Sequence, residues 1–338
     1  MRRQLVSVWT SDSARAKAAR ALLSPFSALY AGASALRGLL YDRRILRVYQ
    51  STIPVIGVGN LTVGGTGKTP VAAWIAGAIV ERGKNPAVVL RGYGEDEPLV
   101  HKALNPEVDV VVCKDRVRGI REAVARGADI AVLDDGFQHR RAARDLDLLL
   151  ISADGWRGEA NLLPAGPWRE PLHAARRASL VMITAKTAGR GKIENVQRAL
   201  SVAAPSVPQA VMRFRLGELR STATGQTMPL AALSDAKVYA IAAIANPKSF
   251  FEQLTATGAS VVGAPFPDHH AFSAREAASI AAAAESADFV VCTLKDAVKL
   301  GPLWPPEHAS LWYVSQRATI EEGAARLDQM LDRICDLR

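Results

Sequence analysis

The sequence predicts an α/β fold: a mainly parallel sheet domain covered by helices, a second, smaller α/β domain, and an amphipathic helix in front of both. Three observations predict it. Short β-branched runs alternate with helical stretches between residues 55 and 183, a glycine-rich turn ending in Gly67-Lys68-Thr69 follows the first of those runs, and the alternation starts again near Val238. A length of 338 residues with 49% hydrophobic content supplies material for real cores, which excludes a disordered chain. The cysteines, Cys113, Cys292 and Cys335, are odd in number, scattered and without metal-ligand spacing. Reduced thiols in a cytosolic protein are the expectation.

The front segment, residues 1–48, is basic. Residues 1–50 hold nine basic groups against Asp12 and Asp42, which is most of the net charge of +9. Such a segment can meet nucleic acid, an anionic membrane surface or an acidic partner. No charge stands between Ala21 and Leu36, while Leu22, Leu23, Phe26, Leu29, Tyr30, Leu36, Leu39 and Leu40 recur at roughly helical spacing between Arg20 and the pair Arg43-Arg44. A helix of that uncharged length reaches about 24 Å, short of the roughly 30 Å hydrocarbon core, so it fits lying on a membrane better than crossing one. Two rival readings are a helix packed on the domain and a cleaved export signal built on Arg2-Arg3 and Ala33-Ser34-Ala35. Against export, Asp12, Arg15, Lys17 and Arg20 break up the region where a compact apolar core should begin. Lack of aromatic interleaving argues against a nucleic-acid partner.

Residues 49–215 form the expected core, with strands at 55–58, 87–90, 108–112, 130–133, 146–151 and 180–183. After the first strand comes Thr62-Val63-Gly64-Gly65-Thr66-Gly67-Lys68-Thr69. Glycines let backbone N–H groups curl around phosphate oxygens, Lys68 can reach the outer phosphates, and the Thr69 hydroxyl can ligate Mg²⁺ at the start of the next helix. Thr62 stands where the usual pattern opens with glycine. Strand, loop and apolar helix together predict a P-loop NTPase-like parallel sheet domain with a nucleoside triphosphate as ligand. Ile130-Ala131-Val132-Leu133-Asp134-Asp135 is an apolar strand ending in two carboxylates. Asp134 there can orient Mg²⁺, and Asp135 can cap the turn that follows. A loop-rich stretch, 153–171, comes next.

The polar stretch 216–227 reads as a joint, and 216–307 as the smaller C-terminal α/β domain. Strands are expected at 238–243, 260–262 and 289–292. Asn246-Pro247 starts one helix as N-cap and first position, and Ser273-x-x-Glu276 starts another as a capping box. Residues 308–338 are expected to return to the core as a strand and a helix, the helix capped by Thr319-x-x-Glu322.

Asp134-Asp135-Gly136-Phe137-Gln138-His139-Arg140-Arg141 is more specific than any of these signals. With it, the chain resembles the tetraacyldisaccharide 4'-kinases of lipid A biosynthesis. The resemblance runs through residues 58–70, Arg91-Gly92-Tyr93-Gly94, the Pro-rich run 162–171, Ala245-Asn246-Pro247 and Thr293-Leu294-Lys295-Asp296-Ala297-Val298-Lys299-Leu300, and covers nearly everything after about residue 20. It implies a two-lobed, monomeric kinase, peripheral at the cytoplasmic face of the inner membrane, with ATP and Mg²⁺ as cofactors. It implies transfer of the γ-phosphate to the 4'-hydroxyl of a lipid A disaccharide precursor. The basic amphipathic front segment would dock the enzyme where that acylated substrate lives.

The same resemblance implies site residues. Asp96 stands at the family's catalytic aspartate, although only Gly94 and Glu95 separate it from Tyr93 where the family usually has a longer insertion. His269, in Asp268-His269-His270, stands at the family's dyad histidine, and closure of the two lobes would then be part of catalysis. Without the resemblance, that run reads as a polar turn after Pro265 and Pro267. Glu97 is a candidate Mg²⁺ partner or a solvated acid, and Arg169 either meets a phosphate through its guanidinium fork or pairs with Glu170. Lys295, Asp296 and Lys299 read as helix-surface charges. Trp156, Trp168 and Trp304 read as acyl-chain contacts or as packing. Two rival functions are a P-loop kinase of a soluble small molecule and a nucleotide-binding switch. A switch should carry an Asn-Lys-x-Asp guanine reader, and Thr293-Leu294-Lys295-Asp296 has its lysine in the wrong place.

Overall fold

A computed structural model describes residues 8–9, 11–92, 96–158 and 161–337. Arg2 and Arg3 of the export reading, and Tyr93, Gly94 and Glu95 of the segment before Asp96, lie outside the described residues. The elements begin with α1 (Ala14–Asp42), β1 (Val55–Asn60), α2 (Lys68–Glu81), β2 (Pro86–Leu90), α3 (Asp96–Leu104), β3 (Asp109–Val112), α4 (Arg116–Ala125) and β4 (Ile130–Asp134). Next come β5 (Leu146–Ser152), β6 (Leu180–Ala185), α5 (Arg190–Ala203), β7 (Gln209–Ser221) and β8 (Thr227–Met228). Last are β9 (Lys237–Ala242), α6 (Pro247–Thr255), β10 (Ser260–Pro265), α7 (Ala274–Ala283), β11 (Phe289–Thr293), α8 (Leu294–Leu300), β12 (Leu311–Glu322) and α9 (Ala324–Asp336).

These divide into two compact units. The first comprises Met1–Arg91, Val108–Met212 and Ile320–Arg338, and the second Gly92–Glu107 and Arg213–Thr319. In the first, parallel strands run in the order β6-β5-β1-β4-β2-β3. Both faces are covered, so β1, β2 and β4 are buried along their whole length, as their near-continuous apolar sequences require. Successive residues feed opposite cores: Leu149, Ile151, Val181 and Ile183 join one, and Val55, Val89, Ala131 and Leu133 the other. The β1–β4 register sets Val58 beside Asp134, which brings the start of the phosphate loop next to the carboxylate that ends β4.

Helix α1 belongs to this unit and is capped by Ser13, whose side chain accepts from the Ala16 amide. Of its apolar residues only Ala16 is buried, while Leu22, Phe26 and Leu29 are 76%, 60% and 72% exposed. Its inner side is held by polar contacts. The Ser27 hydroxyl donates to the Leu162 carbonyl at 2.9 Å and accepts from the Ala165 amide at 3.0 Å, and Arg37 donates to the Gln138 carbonyl at 3.1 Å. Among the described residues, no helix is long and apolar enough to cross a membrane.

The second unit has strand order β10-β9-β11-β12-β7, with β8 antiparallel to β7. Helix starts follow the sequence signals: Asn246 caps α6 with Pro247 at its first turn, and Ser273 and Glu276 close the capping box of α7.

Three expectations are corrected. The stretch 216–227 is no joint: β7 continues to Ser221 and turns into β8, because Phe214, Leu219 and Ser221 are buried while Arg215 and Arg220 face out. Thr319 and Glu322 do not cap a helix. They extend β12, and α9 starts after Gly323, whose φ of 80° suits glycine and where a Cβ would lie 2.9 Å from the Gln209 carbonyl oxygen. Finally, residues 92–107 leave the core that the sequence reading draws continuously from 49 to 215, because α3 packs on α8.

Candidate functional site

In the first unit, the residues of the glycine-rich turn are fixed from three sides. Asn60, the last residue of β1, donates from its side chain to the Thr66 hydroxyl at 2.8 Å, and the Thr184 hydroxyl at the end of β6 donates to the Thr66 carbonyl at 3.0 Å. The Pro-rich run lies along the other edge: Val63 N–H donates to the Pro167 carbonyl at 2.8 Å, Arg169 N–H to the Leu61 carbonyl at 2.6 Å, and Thr62 bridges Trp168. Gly64 and Gly67 carry φ of 131° and 85°, so the turn needs glycine at both places. Gly67 also precedes α2, whose first amides therefore point out of the loop.

Around it the predicted side chains meet. The Thr69 hydroxyl donates to Asp134 Oδ2 at 2.9 Å. Lys68 Nζ lies 3.7 Å from Asp135, and Arg169 donates to both Asp135 oxygens at 3.0 and 3.1 Å and to Gln138 Oε1 at 3.2 Å. Asp135, read from sequence as a turn cap, is instead the counter-ion that gathers both cations, from a left-handed backbone with φ of 58°. Burial pushes its carboxyl up, but Lys68 and Arg169 outweigh burial and hold it below the usual carboxylate range. The local Arg169–Glu170 pair does not form, since Glu170 meets Arg177 at 2.6 Å and Gln138 at 3.2 Å. Gln138 is a residue that sequence reasoning left without a role. It ties Arg169 to the Asn60 carbonyl, and its place in the Asp134-to-Arg141 run was its only signal. Trp168 is buried in the core with Trp156 packed edge-on to it, and Trp304 donates to the Ala309 carbonyl and packs against the second unit's core.

The second unit holds a separate cluster. Asp96 opens α3 and is 1% exposed. Its Oδ1 lies 3.0 Å from His269 Nδ1, while its buried Oδ2 has no hydrogen-bond partner among the described residues. Lys295 Nζ is 3.0 Å from His269 Nε2, 3.6 Å from Asp96 Oδ2 and 3.5 Å from Asp268, and Lys299 Nζ is 3.8 Å from Asp96 Oδ2. Burial raises the Asp96 carboxyl, yet the His269 hydrogen bond, Lys295 and Lys299 together bring it down to about 2. His269 sits at φ of 59°, held by its amide to the Ala243 carbonyl at 3.2 Å. His270 turns away to Glu276 at 3.0 Å and stacks with Phe266 and Phe272.

The two cations on α8 are therefore not surface charges, and Asp296 is fully buried. It accepts from the Ala243 amide at 3.1 Å and the Thr293 hydroxyl at 2.7 Å. Their sequence signals were their place in the 293–300 run of the resemblance and their spacing: 295 and 299 are four apart, on one side of a short helix. Glu97 lies in the first turn of α3, in the second unit, whereas Thr69 and Asp134 belong to the first. Among the described residues, no group of three or more His, Cys, Asp or Glu is placed to hold a metal ion.

Comparison with known proteins follows the same outline. Residues 19–336 match the family described as Tetraacyldisaccharide-1-P 4'-kinase, LpxK. A tetraacyldisaccharide 4'-kinase of Anaeromyxobacter dehalogenans is 38% identical over 91% of this chain and 88% of its own length. One from Geobacter sulfurreducens is 38% identical over 85% and 86%. Among solved structures, the "apo" form of LpxK from Aquifex aeolicus in complex with ATP is similar with a TM-score of 0.74 and 27% identity, over 93% of this chain and 99% of that one.

Proposed function

Because the chain belongs to the tetraacyldisaccharide-1-P 4'-kinase family, we propose that it transfers the γ-phosphate of ATP to the 4'-hydroxyl of a tetraacyldisaccharide 1-phosphate, giving the 1,4'-bisphosphate. The observation that carries this reading is that one chain holds a phosphate loop with Lys68 and Arg169 gathered on Asp135, and a buried carboxylate, Asp96, one oxygen of which faces two lysines but takes no hydrogen bond among the described residues.

In the first unit, the backbone amides of Gly64, Gly65 and Gly67 and the start of α2 take the phosphates. Lys68 and Arg169 exchange Asp135 for phosphate oxygens, Arg169 as a two-pronged donor. Thr69 and Asp134 fit Mg²⁺: a hydroxyl and one carboxylate already meet at 2.9 Å beside the loop, and this ion is typically held by few protein oxygens plus phosphate and water. When bound, it supplies positive charge against the phosphates.

In the second unit, Asp96 Oδ2 accepts the hydroxyl proton and His269 orients the carboxylate through Oδ1. A carboxyl held at about 2 is a weak base. In a loose phosphoryl-transfer transition state the hydroxyl keeps most of its proton until late, so an ionised, correctly aimed acceptor is what the step needs. The row Leu22, Phe26, Leu29, exposed on α1, supports peripheral docking at a membrane surface, on this reading the cytoplasmic face of the inner membrane, where an acylated substrate resides. A guanine-reading switch finds no support, since Lys295 and Asp296 are engaged with His269 and Ala243.

The test is transfer from γ-labelled ATP to tetraacyldisaccharide 1-phosphate in mixed micelles, with the product's phosphate mapped by mass spectrometry. Label on the 4' position supports the reading. No transfer to this acceptor, with transfer to a water-soluble alcohol instead, sinks it.

A further inference from the structure

The Asp96–His269 pair leaves one question of chemistry open: which nitrogen of the ring carries the proton. Two neighbours answer it from opposite ends. Asp96, ionised, can only accept, and lies 3.0 Å from Nδ1. Lys295, an ammonium with three protons and no acceptor, lies 3.0 Å from Nε2. Both contacts are hydrogen bonds only if Nδ1 carries the proton and Nε2 offers its lone pair.

The lysine is itself held. Its other protons face Asp268 at 3.5 Å and Asp96 Oδ2 at 3.6 Å, and α8, which carries it, is capped by the Thr293 side chain. Helix α8 also grips the backbone of the histidine turn. Asp296 takes the Ala243 amide, the Ala243 carbonyl takes the His269 amide, and Lys299 donates to the His270 carbonyl at 2.9 Å. One short helix thus sets the ring's position, its strained φ and its proton. The charged groups placed against the ring are Asp96 from α3 at Nδ1, Lys295 from α8 at Nε2, and Asp268 from its own turn, whose Oδ2 lies 3.8 Å from Nε2.

We propose that Lys295 is a positioning residue for phosphate transfer: by donating to Nε2 it fixes His269 as the Nδ1–H tautomer, which commits the ring's proton to Asp96 Oδ1 and leaves Oδ2 free for the acceptor hydroxyl. The role in transfer rests on the proposed kinase reading, while the tautomer does not. Without the ammonium, which also faces Asp268 at 3.5 Å, the Asp268 carboxylate 3.8 Å from Nε2 competes with Asp96 for the ring's proton, and a proton drawn to Nε2 leaves Asp96 Oδ1 facing a lone pair. Such a change misdirects the proton acceptor without touching the nucleotide.

The experiment uses the full chain labelled with ¹⁵N-histidine, the His269 resonances assigned by loss in His269→Gln, and read without substrate. The expected wild-type spectrum shows a protonated Nδ1 and a bare Nε2. Lys295→Met is expected to shift the proton toward Nε2 and to lower kcat on the order of a hundredfold, with KM for ATP within about twofold. Lys295→Arg, which still donates, is expected to keep the tautomer and recover part of kcat. A wild-type ring protonated on Nε2, or a Lys295→Met protein with unchanged kcat, overturns the proposal. The wild-type tautomer requires no variant of Lys295, so a Lys295→Met chain that fails to fold does not remove the test. A wild type inactive on the disaccharide overturns the kinase reading and with it Lys295's role in transfer, and the spectrum still decides whether Lys295 sets the ring.

Discussion

Asp96 shows how a residue can be chemically prepared by neighbours far from it in sequence. Its carboxyl ordinarily titrates at 3.8 and is brought to about 2, because the His269 hydrogen bond and two lysines outweigh burial. The sign follows directly. A depressed carboxyl stabilises the fold above its unfolded value, and that stabilisation, about 2 kcal/mol, is lost as pH falls from about 4 through about 2. His269→Ala and Lys295→Met should each shrink this acid-limb loss, as measured by denaturant unfolding at pH 5 and pH 2.5. A loss of equal size in wild type and both variants would show that other carboxylates carry it. Asp96 and His269 could be picked out because a family pattern marks them. Lys295 and Asp135 lie in runs of the same resemblance but were read as a surface charge and a turn cap, since a lysine on a seven-residue helix and an aspartate at a strand end look alike whether they face water or a site.

At the scale of elements, β1 shows what small side chains are for. A Cβ on Gly59 would fall 2.5 Å from Phe137 Cβ and 2.6 Å from its backbone nitrogen, so the turn carrying Asp135 and Gln138 can lie on the strand only if this residue is glycine. Gly59→Ala should cost about 3 kcal/mol in chemical unfolding. A cost under about 1 kcal/mol would mean the turn yields freely. Helix α1 makes the opposite use of large side chains. Exchanging Leu22, Phe26 and Leu29 for serine should leave the melting temperature within a few degrees but strip binding to vesicles of anionic phospholipid in a sedimentation assay. Undiminished vesicle binding would move the docking surface elsewhere. The helix and its apolar row were legible in the periodicity. Strand β7 was not, because Glu218 and Arg220 beside Gly217 and Gly225 read as a polar joint over 216–227, whereas the buried Leu219 and Ser221 alternate with them as a strand requires. Thr319-x-x-Glu322 matched a capping box by spacing alone, and β12 claimed those residues first.

Taken as a whole, the molecule carries the proposed phosphate-binding groups in one unit and the proposed proton acceptor, Asp96, in the other. The succession of strands between 55 and 183 and between 238 and 292 was readable from alternation of apolar runs, while β7 and β8 were not. The division into units was less readable, because 92–107 joins the second unit through packing of α3 on α8, a contact that separates residues by nearly two hundred positions and leaves no local trace. The division makes a direct test possible in Asp96→Asn, a nearly isosteric change confined to the second unit. Nucleotide affinity and the rate of a single turnover should be measured on the same preparation. The expected result is an ATP dissociation constant within about twofold of wild type and a transfer rate lower by about 10² to 10⁴. An Asp96→Asn protein that transfers phosphate at the wild-type rate, or one that no longer binds ATP, would contradict the assignment of proton acceptance to Asp96 and of nucleotide binding to the phosphate loop alone.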